Sequence, residues 1–224
     1  MKAAIIHEHG GLECVRAEDV PEPKAGEGEV VLEVRSAALN HLDIWVCKGR
    51  PGLALKMPHV LGSDAAGVVA ELGSGTHGVS VGDEVVLNPG LSCGGCESCR
   101  RGQQSQCASF SIVGTTAPGT FAEKVAVPFC NVFPKPAHLN FDEAAALPLA
   151  YQTAWRMLMT RAAVRPGETV LIHGIGGGVA LAALQLAKLA GTEVIVTSSS
   201  DEKLAKAAAL GADHSLNYKG GNDV

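Results

Sequence analysis

Four cysteines fall within fifteen residues, in the segment CGGCESCRRGQQSQC, and this cluster constrains the fold more than any other feature of the chain. Their spacing, C-x2-C-x2-C-x7-C, is typical of a closed tetrahedral zinc site with thiolate ligands. An iron–sulfur cluster also takes four thiolates and is the chemical alternative. The spacing therefore predicts a loop held by one metal ion, with zinc favoured. The predicted ligands are Cys93, Cys96, Cys99 and Cys107.

The cysteine count and the net charge of the chain exclude several classes of protein and of binding partner. Seven cysteines, four of them clustered, do not fit a secreted disulfide framework, and we expect Cys14, Cys47 and Cys130 to pack as small hydrophobic side chains. A net charge of −5 without a basic stripe argues against nucleic acid and membrane surfaces as partners. No apolar stretch is long enough to span a bilayer, and no signal peptide is visible. We expect a cytoplasmic protein that acts on a small-molecule substrate.

The pattern of the chain changes near residue 140. Before it, short alternating segments such as MKAAII, EVVLEVRSA and DEVVL are separated by turns rich in Gly and Pro. They predict a mostly antiparallel β domain over residues 1–140, with one short helix around residues 41–47. Helical and strand patterns alternate over residues 141–224, which predicts a parallel sheet with crossover helices. The predicted fold class is α/β.

A glycine-rich loop, HGIGGGVALAALQLAK, follows an apolar strand and opens a helix, as a dinucleotide-binding turn does. Gly174 and Gly176 fit the first two glycines of G-x-G-x-x-G, and Val179 stands at the third. Gly177 and Gly178 keep the backbone open, so a phosphate could approach the helix N-terminus. A tight strand-to-helix turn without a ligand is the alternative.

The next strand ends in hydroxyl side chains where an NAD site normally presents an acidic residue to the ribose. Ser198, Ser199 and Ser200 occupy this place, and Lys203 follows one turn later. A 2′-phosphate would be accepted here, so the sequence favours NADP(H) over NAD(H). Ser200 or Asp201 could also cap the next helix, and the two roles are compatible.

Five segments in order, MKAAII, PGLSCGGCESC, EAAALPLAYQTAW, RPGETVLIHG and KLAKAAALGADH, resemble the medium-chain dehydrogenase/reductase superfamily over the whole chain. That superfamily contains the zinc-type alcohol dehydrogenases and their quinone and enoyl reductase relatives. The resemblance implies a GroES-like β domain, with a structural-zinc lobe at about residues 89–113, followed by a doubly wound Rossmann domain. It also implies that the cysteine lobe is remote from the reaction and holds one structural Zn²⁺.

The alcohol dehydrogenases of this family hold a second, catalytic zinc, and this chain departs from their pattern at each ligand. Asn40 stands at the first cysteine position, Ser63 replaces the histidine of the G-H-E motif, and Asp64 replaces its glutamate. Near Leu149 no cysteine, histidine or carboxylate is available. The resemblance therefore implies hydride transfer without a catalytic zinc, as in the family's reductases of enones, quinones and enoyl thioesters.

Four side chains are the candidates for facing the substrate. Asn40 would act as a neutral amide donor, Asp43 and Asp64 would orient it or relay a proton, and Tyr151 would place a hydroxyl in the cleft. Asn40 and Asp43 equally fit a helix-capping pattern, and Ser63 with Asp64 fits the start of a tight turn. The alternatives in function are an alcohol or aldehyde dehydrogenase with a catalytic zinc, and an inactive cofactor-binding protein.

The predicted Rossmann domain contains strands and helices for its first half only. We therefore expect strand 169–173 to form a sheet edge and the sequence to be a truncated form of a longer enzyme. The function belongs to that full-length enzyme, which we expect to be a homodimer or homotetramer.

Overall fold

The computed structural model describes residues 1–49 and 55–219. The chain divides into two compact units, Met1–Leu149 and Ala150–Val224. The boundary predicted near residue 140 falls inside the first unit. The reason is that a short helix, Phe141–Ala145, packs its buried alanines against a strand of that unit.

The described strands of the first unit pair antiparallel, as the alternating pattern predicts. They form a three-stranded sheet of order β2-β1-β4, a five-stranded sheet of order β10-β6-β5-β3-β9, and the two-stranded pair β7-β8. Their bounds are β1 Lys2–Ile6, β2 Arg16–Asp19, β3 Glu29–Ala38, β4 His59–Val60, β5 Asp64–Leu72, β6 Glu84–Leu87, β7 Gly90–Leu91, β8 Ser111–Ile112, β9 Lys124–Pro128 and β10 Val132–Pro134.

Among its described residues this unit also contains the α-helices α1 His41–Lys48, α2 Glu97–Arg100 and α3 Phe141–Ala145. Short 3₁₀ turns lie at Leu12–Cys14, Gln104–Gln106 and Phe129–Asn131. Helix α1 buries Cys47 in a small apolar cluster, which agrees with the prediction for that thiol. Cys14 lies partly buried against the same cluster. The prediction for Cys130 is wrong, because that side chain lies exposed on a 3₁₀ turn.

The later part of the chain alternates helix and strand. The break expected at Pro148 separates α3 from α4, and a π-helical turn, Arg156–Arg161, follows α4. The described strands form a parallel sheet of order β11-β12-β13, so β11 lies at its edge. The bounds are α4 Pro148–Trp155, β11 Thr169–Ile172, α5 Gly178–Leu189, β12 Glu193–Ser198, α6 Asp201–Ala209 and β13 His214–Asn217.

The helices are short. The longest described one, α5, has 12 residues and a length of about 18 Å, against a bilayer core of about 30 Å. Within residues 1–49 and 55–219, the structure contains no helix whose length and apolar character would let it cross a membrane.

The core of the second unit forms where α5 packs on the sheet. Small residues of α5 allow a close approach, and Leu184 lies fully buried among the side chains of β12, including Val194 and Val196. On the same helix Leu189 is 85% exposed. The buried face of α5 therefore contributes most of what this helix adds to the stability of the unit.

We expect Leu184→Ala to lower the free energy of unfolding of this unit by about 2–5 kcal/mol, because it removes buried apolar contacts and leaves a cavity. Leu189→Ala is the matched control and should change it by less than about 0.5 kcal/mol. Urea unfolding followed by circular dichroism measures both. Equal destabilisation by the two variants would contradict this account of the core.

Candidate functional site

The four predicted ligand cysteines converge. Their sulfur atoms all lie within 4.8 Å of one another, and the Sγ atoms of Cys96 and Cys99, and of Cys93 and Cys107, are 3.5 Å apart. A tetrahedral zinc with bonds of about 2.3 Å requires sulfur–sulfur distances of about 3.8 Å. The donor type, the number of donors and their spacing therefore fit a zinc ion.

Backbone groups of the lobe turn toward these sulfurs. The N–H of Cys96 donates to Cys93 Sγ at 3.4 Å, and that of Ser109 donates to Cys107 Sγ at 3.4 Å. Such bonds from Gly95 and Cys96 lower the pKa of the Cys93 thiol to about 6, whereas burial raises the pKa of Cys99 to about 11. A bound cation would compensate the charge of the buried thiolate.

The lobe is closed at its base by the pairing of β7 with β8, where Gly90 faces Ile112 and Leu91 faces Ser111. All ligands come from the single loop between these strands, and four thiolates fill a tetrahedral shell. No position is left for a substrate, which is the arrangement of a structural zinc site.

A second group of polar side chains lies where α1 meets β5. Asn40 Nδ2 donates to Asp64 Oδ2 at 2.9 Å, and the backbone N–H of Leu149, in the first turn of α4, donates to Asp64 Oδ1 at 3.0 Å. Asp43 Oδ2 accepts the backbone N–H of Asn40 at 2.7 Å. The structure thus brings Asn40, Asp43 and Asp64 together.

Burial dominates the electrostatics of this group. Asp64 is 1% exposed, and desolvation raises its pKa to about 7, although the bonds from Asn40 and Leu149 favour the ionised form. The neighbouring Asp43 carboxyl also raises the pKa of Asp64, and burial raises the pKa of Asp43 itself. Asn40 is only partly buried, so it is the most accessible member of the group.

The two interpretations of Asn40 and Asp43 prove compatible. The pair forms a capping box at the start of α1, while the Asn40 amide also binds Asp64. The turn role expected for Ser63 is not found. Its hydroxyl is buried and has no hydrogen-bond partner among the described residues, because the residue enters β5 directly.

The glycine loop has the geometry of a tight strand-to-helix turn. Gly174 and Gly176 adopt φ values of 69° and 119°, which side chains other than glycine rarely adopt. Gly177 is the N-cap of α5, and Gly178 opens the helix, so the first-turn N–H groups face the loop. Val179 packs against the core of this unit.

The end of β12 lies beside this loop. The N–H of Ile175 donates to Thr197 O at 2.9 Å, and that of Gly174 donates to Thr197 Oγ1 at 3.3 Å. The side chain of Lys203 passes close to Gly176, since a Cβ there would come within 2.8 Å of Lys203 Cδ. The structure therefore places the lysine and the glycine loop together.

The three serines divide their roles. Ser198 is buried, and its hydroxyl accepts the N–H of Ser200 at 3.2 Å. Ser200 caps α6 by accepting the N–H of Lys203 at 3.4 Å, as the capping alternative predicts, and Ser199 lies between them, partly buried. The nearest carboxylate, Asp201, accepts a bond from Asn217 on β13.

Tyr151 belongs to the second unit, where its hydroxyl donates to Gln185 on α5. The other three candidate side chains belong to the first unit. Sequence reasoning missed the roles of Gln185 and of the Leu149 N–H, and no sequence pattern reports either of them. Thr197 begins the run of hydroxyl residues that the sequence singles out at the end of β12.

Comparisons with known proteins agree with this geometry. The model of the alcohol dehydrogenase GroES-like domain matches residues 26–137, and that of the zinc-binding dehydrogenases matches residues 178–224. The chain belongs to the medium-chain dehydrogenase/reductase superfamily. The fold prediction is confirmed, with a GroES-like unit followed by a partial Rossmann-like one.

Three relatives illustrate the range of the family. A zinc-type alcohol dehydrogenase-like protein of Schizosaccharomyces pombe is 38% identical over 219 residues, covering 96% of this chain and 61% of the yeast protein. A solved NAD-dependent alcohol dehydrogenase is 48% identical with a TM-score of 0.95, covering 99% of this chain and 64% of its own. A solved crotonyl-CoA carboxylase/reductase is 33% identical with a TM-score of 0.91, covering 98% and 54% respectively. The chain thus spans less than two thirds of the length of these relatives.

We expect one zinc per chain, and we expect Cys99→Ser to lose it, because a neutral hydroxyl is a poor substitute for a buried thiolate ligand. Cys130→Ser is the matched control and should keep the zinc, since Cys130 lies outside the cluster. Elemental analysis after dialysis against a mild chelator measures both. Retention of zinc by Cys99→Ser would contradict the proposed ligand set.

Proposed function

We propose that the protein is an NADP(H)-dependent oxidoreductase that reduces an activated C=C bond in an enone, a quinone or an enoyl thioester, with one structural zinc and no catalytic zinc. The observation that carries this proposal is the hydrogen-bonded group of Asn40, Asp64 and the Leu149 N–H. The resemblance to the family's alcohol dehydrogenases assigns their catalytic ligands to these positions, and this supports the proposal.

The donor set at these positions does not suit zinc. Zinc prefers thiolate and imidazole ligands. This chain offers instead the amide of Asn40, the hydroxyl of Ser63 and the carboxyl of Asp64, which already accepts two N–H groups. Within the described residues, the four lobe cysteines are the only converging group of three or more metal-ligating side chains. The lobe, in turn, has no open position at which a substrate could bind.

A reduction without a Lewis acid restricts the substrate. NADPH, when bound, would supply a hydride. Addition of that hydride to the β-carbon of a conjugated C=C bond would move the π electrons onto the carbonyl oxygen. The α-carbon then takes a proton from solvent. Asn40 would bind the developing enolate oxygen, and a hydrogen-bond donor is sufficient there because the charge is delocalised. Asp43 and Asp64 would hold Asn40 in place, and Tyr151 would contribute a hydroxyl to the substrate cleft.

The glycine loop and the end of β12 would hold the cofactor. The first-turn N–H groups of α5, next to Gly177 and Gly178, suit the pyrophosphate. Lys203 and the hydroxyls of Ser199 and Ser200 suit a 2′-phosphate, and Asp201 is already bound to Asn217. One of the relatives is named an NAD-dependent alcohol dehydrogenase. The preference for NADPH over NADH is therefore tested directly.

Nucleotide preference is measured by calorimetric titration with NADPH and NADH. We expect tighter binding of NADPH, and we expect Lys203→Ala to weaken it by about 10- to 100-fold while leaving NADH unchanged, because one charge-assisted bond to phosphate is lost. Lys206→Ala is the matched control, since Lys206 pairs with Glu202 at 2.7 Å. Tighter binding of NADH, or equal weakening of both nucleotides, would contradict the proposal.

The reaction is tested by NADPH turnover with an enone, a quinone and an enoyl thioester, on protein whose zinc content is measured in parallel. We expect turnover at close to one zinc per chain, and a loss of about 100-fold in kcat for Asn40→Ala, because the donor to the enolate oxygen is removed. Oxidation of alcohols together with two zincs per chain would instead indicate a catalytic-zinc dehydrogenase. Nucleotide binding without turnover of any substrate would indicate an inactive cofactor-binding protein.

A further inference from the structure

The four sulfurs of the zinc lobe differ in how far solvent can reach them. Cys93 is exposed and Cys96 is partly buried. Cys99 and Cys107 are 8% and 6% exposed. Gly94, which follows Cys93, has no side chain, and among the described residues only its chain neighbours would lie within 4 Å of a Cβ placed there. A small molecule in solvent therefore meets Cys93 before the other sulfurs of the lobe.

The sulfurs also form two close pairs. Cys93 Sγ and Cys107 Sγ are 3.5 Å apart, and the backbone N–H of Cys93 donates to the same Cys107 sulfur at 3.5 Å. Cys96 and Cys99 form the second pair at the start of α2, where their sulfurs are 3.5 Å apart and the Cys99 N–H donates to Cys96 Sγ. Each pair thus joins a more accessible sulfur to a buried one.

The first pair can form a disulfide bond with little movement. Such a bond is about 2.0 Å long, so the sulfurs of Cys93 and Cys107 need to approach by about 1.5 Å. The two residues stand at opposite ends of the loop, Cys93 shortly after β7 and Cys107 shortly before β8. Because β7 and β8 pair with each other, the backbone keeps these residues close together even when a metal ligand is lost.

We propose that Cys93 is a peroxide-reactive site, and that its oxidation by a hydroperoxide joins it to Cys107 and releases the zinc from the lobe. The chemistry belongs to the lobe and does not depend on the substrate of the oxidoreductase. Four cysteines can pair in three ways. The geometry selects one of them, in which Cys93 pairs with Cys107 and Cys96 pairs with Cys99.

The reaction takes two steps at sulfur. A cysteine that ligates zinc is a thiolate, which is the form that reacts with peroxides. The Cys93 thiolate attacks one oxygen of hydrogen peroxide, the O–O bond breaks and hydroxide leaves, so that Cys93 becomes a sulfenic acid. The Cys107 thiolate then attacks the Cys93 sulfur, an S–S bond forms and a second hydroxide leaves. The two sulfurs lose two electrons, the peroxide gains them, and two protons from solvent convert both hydroxides to water.

The disulfide removes two of the four zinc ligands. Thiolates bind zinc and disulfide sulfurs do not replace them, so only Cys96 and Cys99 would remain as ligands and the ion would be released. A second peroxide would join this remaining pair by the same steps. The loop between β7 and β8 would stay closed, because the bond between Cys93 and Cys107 joins its two ends.

The first test uses the zinc-loaded wild-type protein and needs no substrate. Hydrogen peroxide is added up to one equivalent per chain, while a chromogenic chelator reports released zinc by its absorbance. Free thiols are then blocked, and the disulfides are mapped by mass spectrometry after digestion with trypsin. Because trypsin cleaves after Arg100 and Arg101, Cys107 falls on a different peptide from the other three cysteines of the lobe. A disulfide to Cys107 therefore appears as a cross-linked pair of peptides.

We expect one zinc to be released for each disulfide formed between Cys93 and Cys107, and we expect dithiothreitol with added zinc to restore the starting state. Dimedone, which traps sulfenic acids, should label Cys93 before the other cysteines of the lobe when it is present during oxidation. A first disulfide between Cys93 and Cys96, a first label on Cys96, or zinc that stays bound in excess peroxide would overturn the proposal.

Two variants complete the test. Cys130 is also exposed but lies outside the cluster, so Cys130→Ser should release zinc at the wild-type rate, and loss of the release would contradict the role of Cys93. Cys107→Ser lacks the partner thiol, so Cys93 should stay a sulfenic acid that dimedone traps in higher yield than in wild type. A folded Cys107→Ser protein without this label would also contradict the proposal. If Cys107→Ser does not fold, the wild-type disulfide map alone decides the matter.

Discussion

The buried carboxyl of Asp64 is the constraint on which the candidate site depends. It begins β5, accepts the amide of Asn40 at the N-cap of α1, and accepts the Leu149 N–H in the first turn of α4. Burying an unpaired carboxylate is costly, and within the described residues no cation pairs with this one. It is stabilised by two N–H donors and by helix N-termini, whose partial positive charge favours an anion. A substitution at Asp64 would therefore remove a hydrogen bond at the N-terminus of both α1 and α4.

The zinc lobe is stabilised in a different way. Its loop between β7 and β8 is rich in glycine and polar residues and has little apolar surface to bury, so a metal held by four sulfurs replaces a core. Because all four ligands are local in sequence, the lobe can form independently of the group around Asp64. This separation fits a metal that fixes the loop while the chemistry occurs elsewhere in the protein.

Local relationships were the ones that the sequence could predict. The cysteine spacing, the glycine loop and the capping box at α1 involve residues a few positions apart, and each pattern has one compact solution. The bond from Leu149 to Asp64 joins residues far apart in the chain, and it uses a backbone group that no side-chain pattern reports. The buried hydroxyl of Ser63 and the exposed thiol of Cys130 likewise depend on how strands pack. The end of the first unit at Leu149 also depends on packing, because α3 packs against that unit.

In the proposed function an amide and a carboxyl stand in place of metal ligands, and this limits the charge that the site could stabilise. A zinc ion brings two positive charges and can stabilise a localised alkoxide. An amide N–H brings only a partial charge, and a nearby ionised carboxylate would oppose a second anion at close range. A neutral Asp64 would remove that repulsion, and burial raises the pKa of Asp64 to about 7. The site is then suited to a charge that is already spread over several atoms, as in an enolate, and poorly suited to one confined to a single oxygen.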